Sequence, residues 1–357
     1  MHWHDDPLTY WLCCPPRTRG TRDSDARRAA GALQEQLERL EAHLDPPRGT
    51  RRKGSFRLLI PPHALLGPDD LDRLRTLYLR AVEVGGAGCT AIQSALLDLI
   101  GRSALPASVP FWTELLELRR PRDRFAGKRR VLALAALAYL VAEEEDASSL
   151  NALMEATRHD EPQVRAEAVR HLVAAFRESE RPFPAVVIDR LQAVATESGA
   201  LVARVVARTT LSALDLPVPV ANPNGAYVFK VVYQRDRRVQ LVVEVGAEQT
   251  LADLHRVIQN GLDWDDDHLY AFYINGPHDE ELTFGRRFEE GDPPFAAQAV
   301  LEELGLRPGD RFDYLFDFGD NHAFDVEVKE VKEAPAAGRL PRVVELSCDP
   351  PEQYPGW

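Results

Sequence analysis

Two short stretches of the chain concentrate side chains that can bind a metal ion or transfer protons. "DWDDDH" (Asp263–His268) holds four carboxylates and an imidazole, and "DFGDNH" (Asp317–His322) holds two carboxylates and an imidazole. Carboxylate oxygens and imidazole nitrogens are ligands for divalent cations, and paired carboxylates can act as general acid and base. The candidate metal ligands are Asp265, Asp267, His268, Asp317, Asp320 and His322.

Both stretches also fit ordinary structural roles, and these are the favoured interpretations. The first lacks the central glycine and terminal glutamate of an EF-hand loop, so it reads as a charged loop between a helix and a strand. Asp317 is expected to face solvent or to bond the backbone of a turn. We therefore predict no catalytic residue, no cofactor and no metal, and keep a metal site at these residues as the alternative.

Motifs of the common enzyme classes are missing from the sequence. Asp317-Phe318-Gly319 spells the magnesium-binding triplet of protein kinases, but the glycine-rich loop, the paired lysine and the catalytic loop of kinases are absent. "VGGAGCT" (84–90) lacks the lysine and the preceding strand of a phosphate-binding loop, and no HExxH, GxSxG or Cys/His box occurs. The expectation is a protein that is not an enzyme.

The second stretch lies between two rows of alternating apolar residues. The rows are Phe312, Tyr314, Phe316 and Phe318, then His322, Phe324, Val326 and Val328. Side chains two apart lie on one face of a strand, so both rows can share a core only if the chain reverses between them. The pattern predicts a β-hairpin whose turn is Gly319-Asp320-Asn321, with positive φ tolerated by the glycine and the asparagine.

The elements before this hairpin predict an α+β domain. "YVFKVVYQ" and "VQLVVEV" read as strands, and Thr250 with Asp253 reads as the N-terminal cap of a helix with a buried stripe. "HLYAFYI" (268–274) reads as a third strand and "AAQAVLEELGL" (296–306) as a second helix. The predicted order is β-β-α-β-α-β-β, a two-layer domain with its helices on one face of the sheet.

The chain from about 58 to 214 is predicted to be helical. The segments are 69–84, 90–100, 109–118, 128–142, 147–158, 162–177, 184–196 and 199–214, with Gly, Pro or polar breaks between them. Within them "RVLALAAL", "RAEAVRHL" and "RVVARTTL" each place Arg, Ala and Leu at the first, fourth and eighth positions. Intervals of 35 and 39 residues are typical of HEAT-type repeats, so we predict a HEAT-like solenoid, with an irregular bundle as the alternative. In the clearest copy, Asp160 is the predicted N-cap and Pro162 lies in the first turn.

These patterns predict a multidomain protein. Residues 1–55 form an irregular basic arm with one amphipathic helix, whose Leu33, Leu37, Leu40 and Leu44 share a face. Residues 56–215 form the all-α scaffold, 216–226 a Pro- and Asn-rich linker, and 227–357 the α+β domain.

Charge is unevenly distributed along the chain. The net charge is −13, and residues 227–357 hold 13 basic and 27 acidic side chains. An acidic domain repels nucleic acid and anionic membranes, so a neutral or basic protein partner is expected, with nucleic acid contacted only through the basic arm. Four cysteines without ligand spacing, an acidic start and no membrane-length apolar run predict a cytoplasmic protein.

Three motifs together resemble a known family. "TLADLHRVIQNGLDWDDDHLYAFYI", "GDRFDYLFDFGDNHAFDVEV" and "CDPPEQYPGW" resemble the Ri-plasmid ORF-three-like domain family over about 227–357. The resemblance implies an α+β fold and no established activity, and it suggests a setting near mobile elements or a genome-conflict system, because some members are described as transposon-associated.

Three positions depart from the family pattern. The family reads His-Leu-His on the middle strand, where this chain has His268 and then Tyr270. After the turn the family has tryptophan and, two residues later, histidine, where this chain has His322 and Phe324. The departures weaken any transfer of a family site, so the predicted function is a non-enzymatic interaction scaffold. The alternative is a metal-dependent enzyme or accessory factor acting on nucleic acid.

Overall fold

A computed structural model describes most of the chain. The described residues are 23–45, 56, 58, 66–121, 123–219, 224–276, 282–285, 295–334 and 338–354. The chain divides into two compact units, which lie within His2–Phe183 and Pro184–Trp357. Apart from the helix described next, most of the predicted arm falls outside these residues.

The first unit is helical throughout its described secondary structure. Its helices are α1 (Asp23–Leu44), α2 (Leu71–Val84), α3 (Ala87–Arg102), α4 (Val109–Glu117), α5 (Ala126–Glu144), α6 (Ala147–Ala156) and α7 (Pro162–Glu178). The predicted segments agree with α2 to α7 within four residues at each end. Within the part of the chain that the structure describes, no helix has the length and apolar character needed to span a membrane.

Helix α1 packs against α2 through the predicted leucine stripe. Leu33, Leu37, Leu40 and Leu44 are all buried. At the edge of this contact, Arg73 Nε lies 2.7 Å from Glu41 Oε1. The amphipathic helix of the predicted arm is therefore part of the first unit, because its apolar face is covered by α2.

Helix α5 lies at the centre of the first unit, because Leu132–Ala142 are buried on every side. It contacts α4, α6 and α7, and α4 also contacts α6. The repeat positions Ala133, Leu137, Ala168 and Leu172 are fully buried, as the pattern predicts. The helical content is thus confirmed, and the HEAT-like arrangement stays a prediction.

Two of the three repeat arginines bond the loop that precedes their own helix, whereas Arg130 bonds Leu116 and Glu161. Arg165 Nη1 donates to the carbonyl of His159 at 2.7 Å, and Arg204 Nη1 donates to the carbonyl of Ser198 at 2.8 Å. Both acceptors lie six residues before the arginine. The predicted N-cap at Asp160 is wrong: Glu161 is the cap residue and makes no side-chain capping bond, because its carboxylate accepts from Arg130 instead. Pro162 does occupy the first turn.

The second unit contains two helices, a sheet and two further helices. Its elements are α8 (Ala185–Glu197), α9 (Leu201–Ala213), β1 (Ala226–Tyr233), β2 (Gln240–Gly246), α10 (Leu251–Leu262), β3 (Tyr270–Tyr273), β4 (Thr283–Gly285), α11 (Leu301–Leu304), β5 (Arg311–Phe316), β6 (His322–Lys332) and β7 (Arg342–Leu346).

The sheet has seven antiparallel strands in the order β4-β3-β5-β6-β1-β2-β7. Helix α10 packs on β2 and β7. The predicted α+β character is confirmed, but the predicted order lacked β4 and β7. Helix α11 is a single turn, shorter than predicted, because its first residues form a turn and a bridge between Val300 and Thr250. Strands β4 and β7 have three and five residues, so the alternation of apolar and polar side chains along them is too short to predict a strand from the sequence.

Two buried arginines of α9 tie it to the turn that follows α11. Arg208 donates to the carbonyls of Ala195, Glu302 and Glu303, and Arg204 donates to the carbonyl of Gly305 and pairs with Asp310. Gly305 has a φ of 68°, and a Cβ there would overlap the Arg208 guanidinium. Only glycine therefore satisfies both the backbone and the packing at this position.

Helices α8 and α9 thus belong to the same compact unit as the sheet, and described residues 216–219 of the predicted linker lie inside that unit. We expect a 184–357 fragment to unfold cooperatively and at a higher temperature than a 226–357 fragment. The shorter fragment loses the donors for three carbonyls and leaves Asp310 without its arginine. Thermal unfolding by circular dichroism measures the difference. Equal stability would support a domain boundary in 216–226.

Candidate functional site

Helix α10 positions the Asp263–His268 loop. Thr250 and Asp253 form the predicted capping box, with Thr250 N 2.9 Å from Asp253 Oδ2. The stripe of Leu251, Leu254, Ile258 and Leu262 is buried, as predicted. Asp263 ends the helix with a φ of 56°, so the loop leaves α10 through a left-handed turn. This cap and stripe fix where the acidic loop begins.

The β5–β6 hairpin is confirmed, but its turn differs from the prediction. Strand β5 ends at Phe316, and left-handed φ values occur at Asp317 (53°) and Asn321 (56°) rather than at Gly319. Phe318 is 50% exposed, so it is not part of the buried row. The positive φ at Asp317 rotates the chain out of the strand, so the alternation stops one residue earlier than the sequence suggests.

Asp317 is buried and organises the turn. Its Oδ1 accepts hydrogen bonds from the backbone N–H groups of Gly319 (2.8 Å) and Asp320 (3.1 Å). The backbone N–H of Asp317 in turn donates to the carbonyl of Leu269. The predicted backbone-bonding role is confirmed, whereas a solvent-facing carboxylate is wrong because Asp317 is only 6% exposed. One carboxylate oxygen is thus committed to the turn.

Three of the predicted metal ligands meet at this turn. Asp317, Asp320 and His322 each present a ligand atom, and these atoms lie within 4.8 Å of one another. Nε2 of His268 lies 3.5 Å from Asp317 Oδ2. The acidic loop and the hairpin therefore contribute to one cluster, which we call the hairpin-tip cluster: Asp317, Asp320, His322 and His268.

Asp265 and Asp267 bind the C-terminal segment. Asp267 also touches the hairpin-tip cluster, because its Oδ2 lies 3.8 Å from His268 Nε2. The backbone N–H of Asp265 donates to Gln353 Oε1 at 2.7 Å. Asp267 Oδ1 accepts from Gln353 Nε2 (3.1 Å) and from the hydroxyl of Tyr354 (3.0 Å). These two candidates hold the end of the chain in place.

His322 lies between aromatic rings at the base of the turn. Its Nδ1 is 2.9 Å from the hydroxyl of Tyr233, and its ring centroid is 4.6 Å from that of Trp264. Burial lowers the pKa of His322 below 6.5, and the Arg235 guanidinium acts in the same direction, while the carboxylates of Asp320 and Asp317 oppose it. The imidazole is therefore neutral at neutral pH.

A second histidine site was not predicted from the sequence. His255 Nδ1 lies 2.6 Å from the hydroxyl of Tyr314, and its Nε2 lies 3.0 Å from Asp266 Oδ1. Gln259 Nε2 donates to the same hydroxyl at 2.7 Å. The signal in the sequence is the spacing of four between Leu251 and His255, which places the histidine on the buried stripe.

The Asp266–His255–Tyr314 arrangement resembles a catalytic relay in composition but not in access. Tyr314 is completely buried, and burial raises its pKa well above 10. A neutral hydroxyl enclosed on all sides cannot reach a substrate. The network is therefore structural: it pairs polar groups of α10 with the sheet, and His255 stacks on Tyr270 with ring centroids 3.7 Å apart.

The second unit is thus an α+β domain, an antiparallel sheet with a polar cluster at one hairpin tip. The family model described as plasmid pRiA4b ORF-3-like protein matches residues 226–357, so the resemblance to this family is confirmed for that region. The two positions at which the resemblance implies histidine hold core aromatic rings instead, because Tyr270 and Phe324 are both buried.

Similar proteins have been found in a bacterium and in an archaeon. An uncharacterized protein, y4hQ, from Sinorhizobium fredii is 32% identical over 115 residues, which are 30% of this chain and 54% of that protein. The chain therefore spans about half the length of this relative. A solved structure, the protein of unknown function MM3350 from Methanosarcina mazei Go1, is 26% identical, with a TM-score of 0.29, and covers 34% of this chain and 68% of its own.

The turn geometry makes a prediction about Asp317. We expect Asp317→Ala to cost about 1–3 kcal/mol of unfolding free energy, because it removes the carboxylate that holds the N–H groups of Gly319 and Asp320 and places alanine at a buried position with a left-handed φ. Gly319→Ala should cost less than about 1 kcal/mol, since Gly319 has no left-handed φ; its Cβ would lie 3.2 Å from Asp317 Oδ1, which requires only a small shift of that carboxylate. Chemical denaturation of the full chain measures both. The opposite ranking would contradict this turn.

The enclosed network makes a separate prediction. Tyr314→Phe should cost about 1–3 kcal/mol, because both His255 Nδ1 and Gln259 Nε2 lose their partner in the core. Tyr273→Phe, on neighbouring β3 and outside the network, serves as the control and should be nearly neutral. Thermal unfolding of the three proteins provides the measurement, and an unaffected Tyr314→Phe protein would show that the hydroxyl is not structural.

Proposed function

We propose that the protein is a non-enzymatic interaction protein whose α+β domain binds an extended segment of a partner protein at strand β7. The observation that carries the proposal is the exposed edge of the sheet. Strand β7 ends the strand order, and its Val344 is 53% and Val343 38% exposed. Among the described residues, no strand pairs with the outer edge of β7.

An exposed edge strand is a template for another strand. Its outward N–H and C=O groups are unpaired in the sheet, and apolar side chains along it can be covered by an added strand. Natural edges are blunted by lysines, bulges or covering loops. Strand β7 has the sequence RVVEL, without lysine, and its arginine is held at the inner side, with Arg342 Nη2 2.6 Å from the buried carboxylate of Glu244. Its register against β2 shifts between Val242 and Val243, so Val344 stands at an irregularity of the ladder, and an added strand would have to follow that irregularity.

Charge indicates which segment would add to this edge. The α+β domain holds 27 acidic and 13 basic side chains, so a neutral or basic segment is favoured over an acidic one. Nucleic acid remains a possible ligand of the basic N-terminal arm alone, since the acidic domain repels phosphates.

We also propose that the first unit, which is helical, is a scaffold that binds other macromolecules. The contacts of α4 with α6 and of α5 with α7 join alternate helices, the relation that stacked helical hairpins of a HEAT-like solenoid produce. Such scaffolds bind macromolecules along an extended surface. This part of the proposal also includes the cytoplasmic location and the mobile-element setting suggested by the resemblance to the plasmid family.

The experiment is affinity capture from the native host with one edge variant and one matched control. Val344→Lys places a charge on the edge strand. Val186→Lys changes a valine of α8 that is equally exposed, at 50%, away from the sheet edge. We expect wild type and Val186→Lys to retain the same partner, identified by mass spectrometry. The amount of this partner retained by Val344→Lys should be at least tenfold lower.

Two results would contradict the proposal. Retention of the partner by Val344→Lys would remove the edge strand as the binding surface. The second result is catalytic turnover by the purified chain that is unchanged in Val344→Lys. It would show that the protein is an enzyme whose active site does not include β7.

A further inference from the structure

The hairpin-tip cluster contains a nitrogen that lacks a hydrogen-bond partner. His322 is 1% exposed, and its Nε2 makes no hydrogen bond among the described residues. The backbone of Gln353 lies near enough to influence the His322 pKa but does not meet the geometry of a hydrogen bond to this atom. An unpaired buried polar atom costs about 1–3 kcal/mol, so it is expected to have a partner in the working protein.

The other nitrogen of His322 is already oriented. In the tautomer that carries its proton on Nδ1, His322 donates to the Tyr233 hydroxyl, and the lone pair of the ring then lies on Nε2. A hydrogen bond from the second ring nitrogen is the usual way in which proteins fix the tautomer of a metal-bound histidine. Tyr233 is therefore placed as the positioning residue for His322.

Asp317 and His268 have the separation of two ligands of one ion. Asp317 Oδ1 is engaged by the turn, which leaves Oδ2 directed to the cluster, 3.5 Å from His268 Nε2. Two ligands bound tetrahedrally at about 2.1 Å from one ion are about 3.4 Å apart. Asp320 adds an exposed carboxylate within 4.8 Å of Asp317 and His322, so the ion can enter from solvent.

We propose that the hairpin tip binds one divalent first-row transition cation through Asp317, Asp320 and His322, with His268 as a fourth donor. Two carboxylates and imidazole nitrogen suit Zn²⁺ or Mn²⁺, whereas Mg²⁺ prefers an all-oxygen shell and keeps its waters. The three core ligands all lie on one hairpin, so the site needs neither the edge strand β7 nor the helical unit.

The test uses the full chain freed of metal by EDTA and then titrated with Zn²⁺, Mn²⁺ or Mg²⁺. Isothermal titration calorimetry and thermal unfolding should show one site that binds Zn²⁺ or Mn²⁺ at least tenfold more tightly than Mg²⁺. Renewed EDTA should reverse the rise in unfolding temperature.

Variants locate the site. Asp320→Ala removes an exposed side chain, so it should fold normally and weaken binding at least tenfold. Asp317→Asn retains an oxygen that can accept from the backbone N–H groups of the turn but removes the charged ligand. It should also weaken metal binding at least tenfold. Asp325→Ala, a carboxylate of β6 paired with Gln234 and Arg237, is the control and should bind as wild type does.

Three results would overturn the inference. The first is no binding of Zn²⁺ or Mn²⁺ by the wild-type chain. The second is equal binding by wild type and Asp320→Ala, which would assign the ion to other side chains of the protein. The third is a preference for Mg²⁺, which would exclude His322 as a ligand.

Discussion

Polar groups that are buried in the second unit must be hydrogen-bonded or paired with an opposite charge, and the packing of the whole unit depends on this requirement. Arg208 is buried, which lowers the pKa of its guanidinium although the Tyr227 phenol opposes the effect, and it donates to carbonyls from two helices. Glu244 is completely enclosed in the sheet and is paired with Lys332 and Arg342. Because an unpartnered buried charge is far more costly than a paired one, these groups determine which elements must pack together.

The same constraint separates two clusters that look alike in composition. In the enclosed network, the hydroxyl of Tyr314 and both nitrogens of His255 are paired within the protein, so the polar groups serve packing. At the hairpin tip, one nitrogen of His322 has no such partner, and an exposed carboxylate stands beside it. Gln259 Oε1 of the enclosed network is also without a hydrogen-bond partner among the described residues, but Gln259 itself is buried. An unpaired nitrogen beside an exposed carboxylate, rather than the presence of histidine and aspartate, therefore distinguishes the cluster able to bind a ligand.

The resemblance to the plasmid family implies that this cluster has an altered setting in this chain. Where the family pattern has histidine, this chain has Tyr270, which stacks on His255, and Phe324, which is enclosed in the sheet. His322 stands where the pattern has tryptophan. The hairpin tip of this chain therefore arises from a different distribution of imidazoles, and the relatives' names assign no activity to it.

The amino-acid sequence by itself determined the features that depend on near neighbours in the chain. The bounds of α2 to α9, the Thr250 cap, the leucine stripe of α1 and the paired rows of the β5–β6 hairpin follow from local periodicity and capping, so they were predicted. Only the tertiary structure decided the burial of Arg204 and Arg208, the strands β4 and β7, and the approach of His268 to Asp317. Each of these depends on partners distant in the chain, and a short strand or an isolated charged residue has no pattern that reveals its partner.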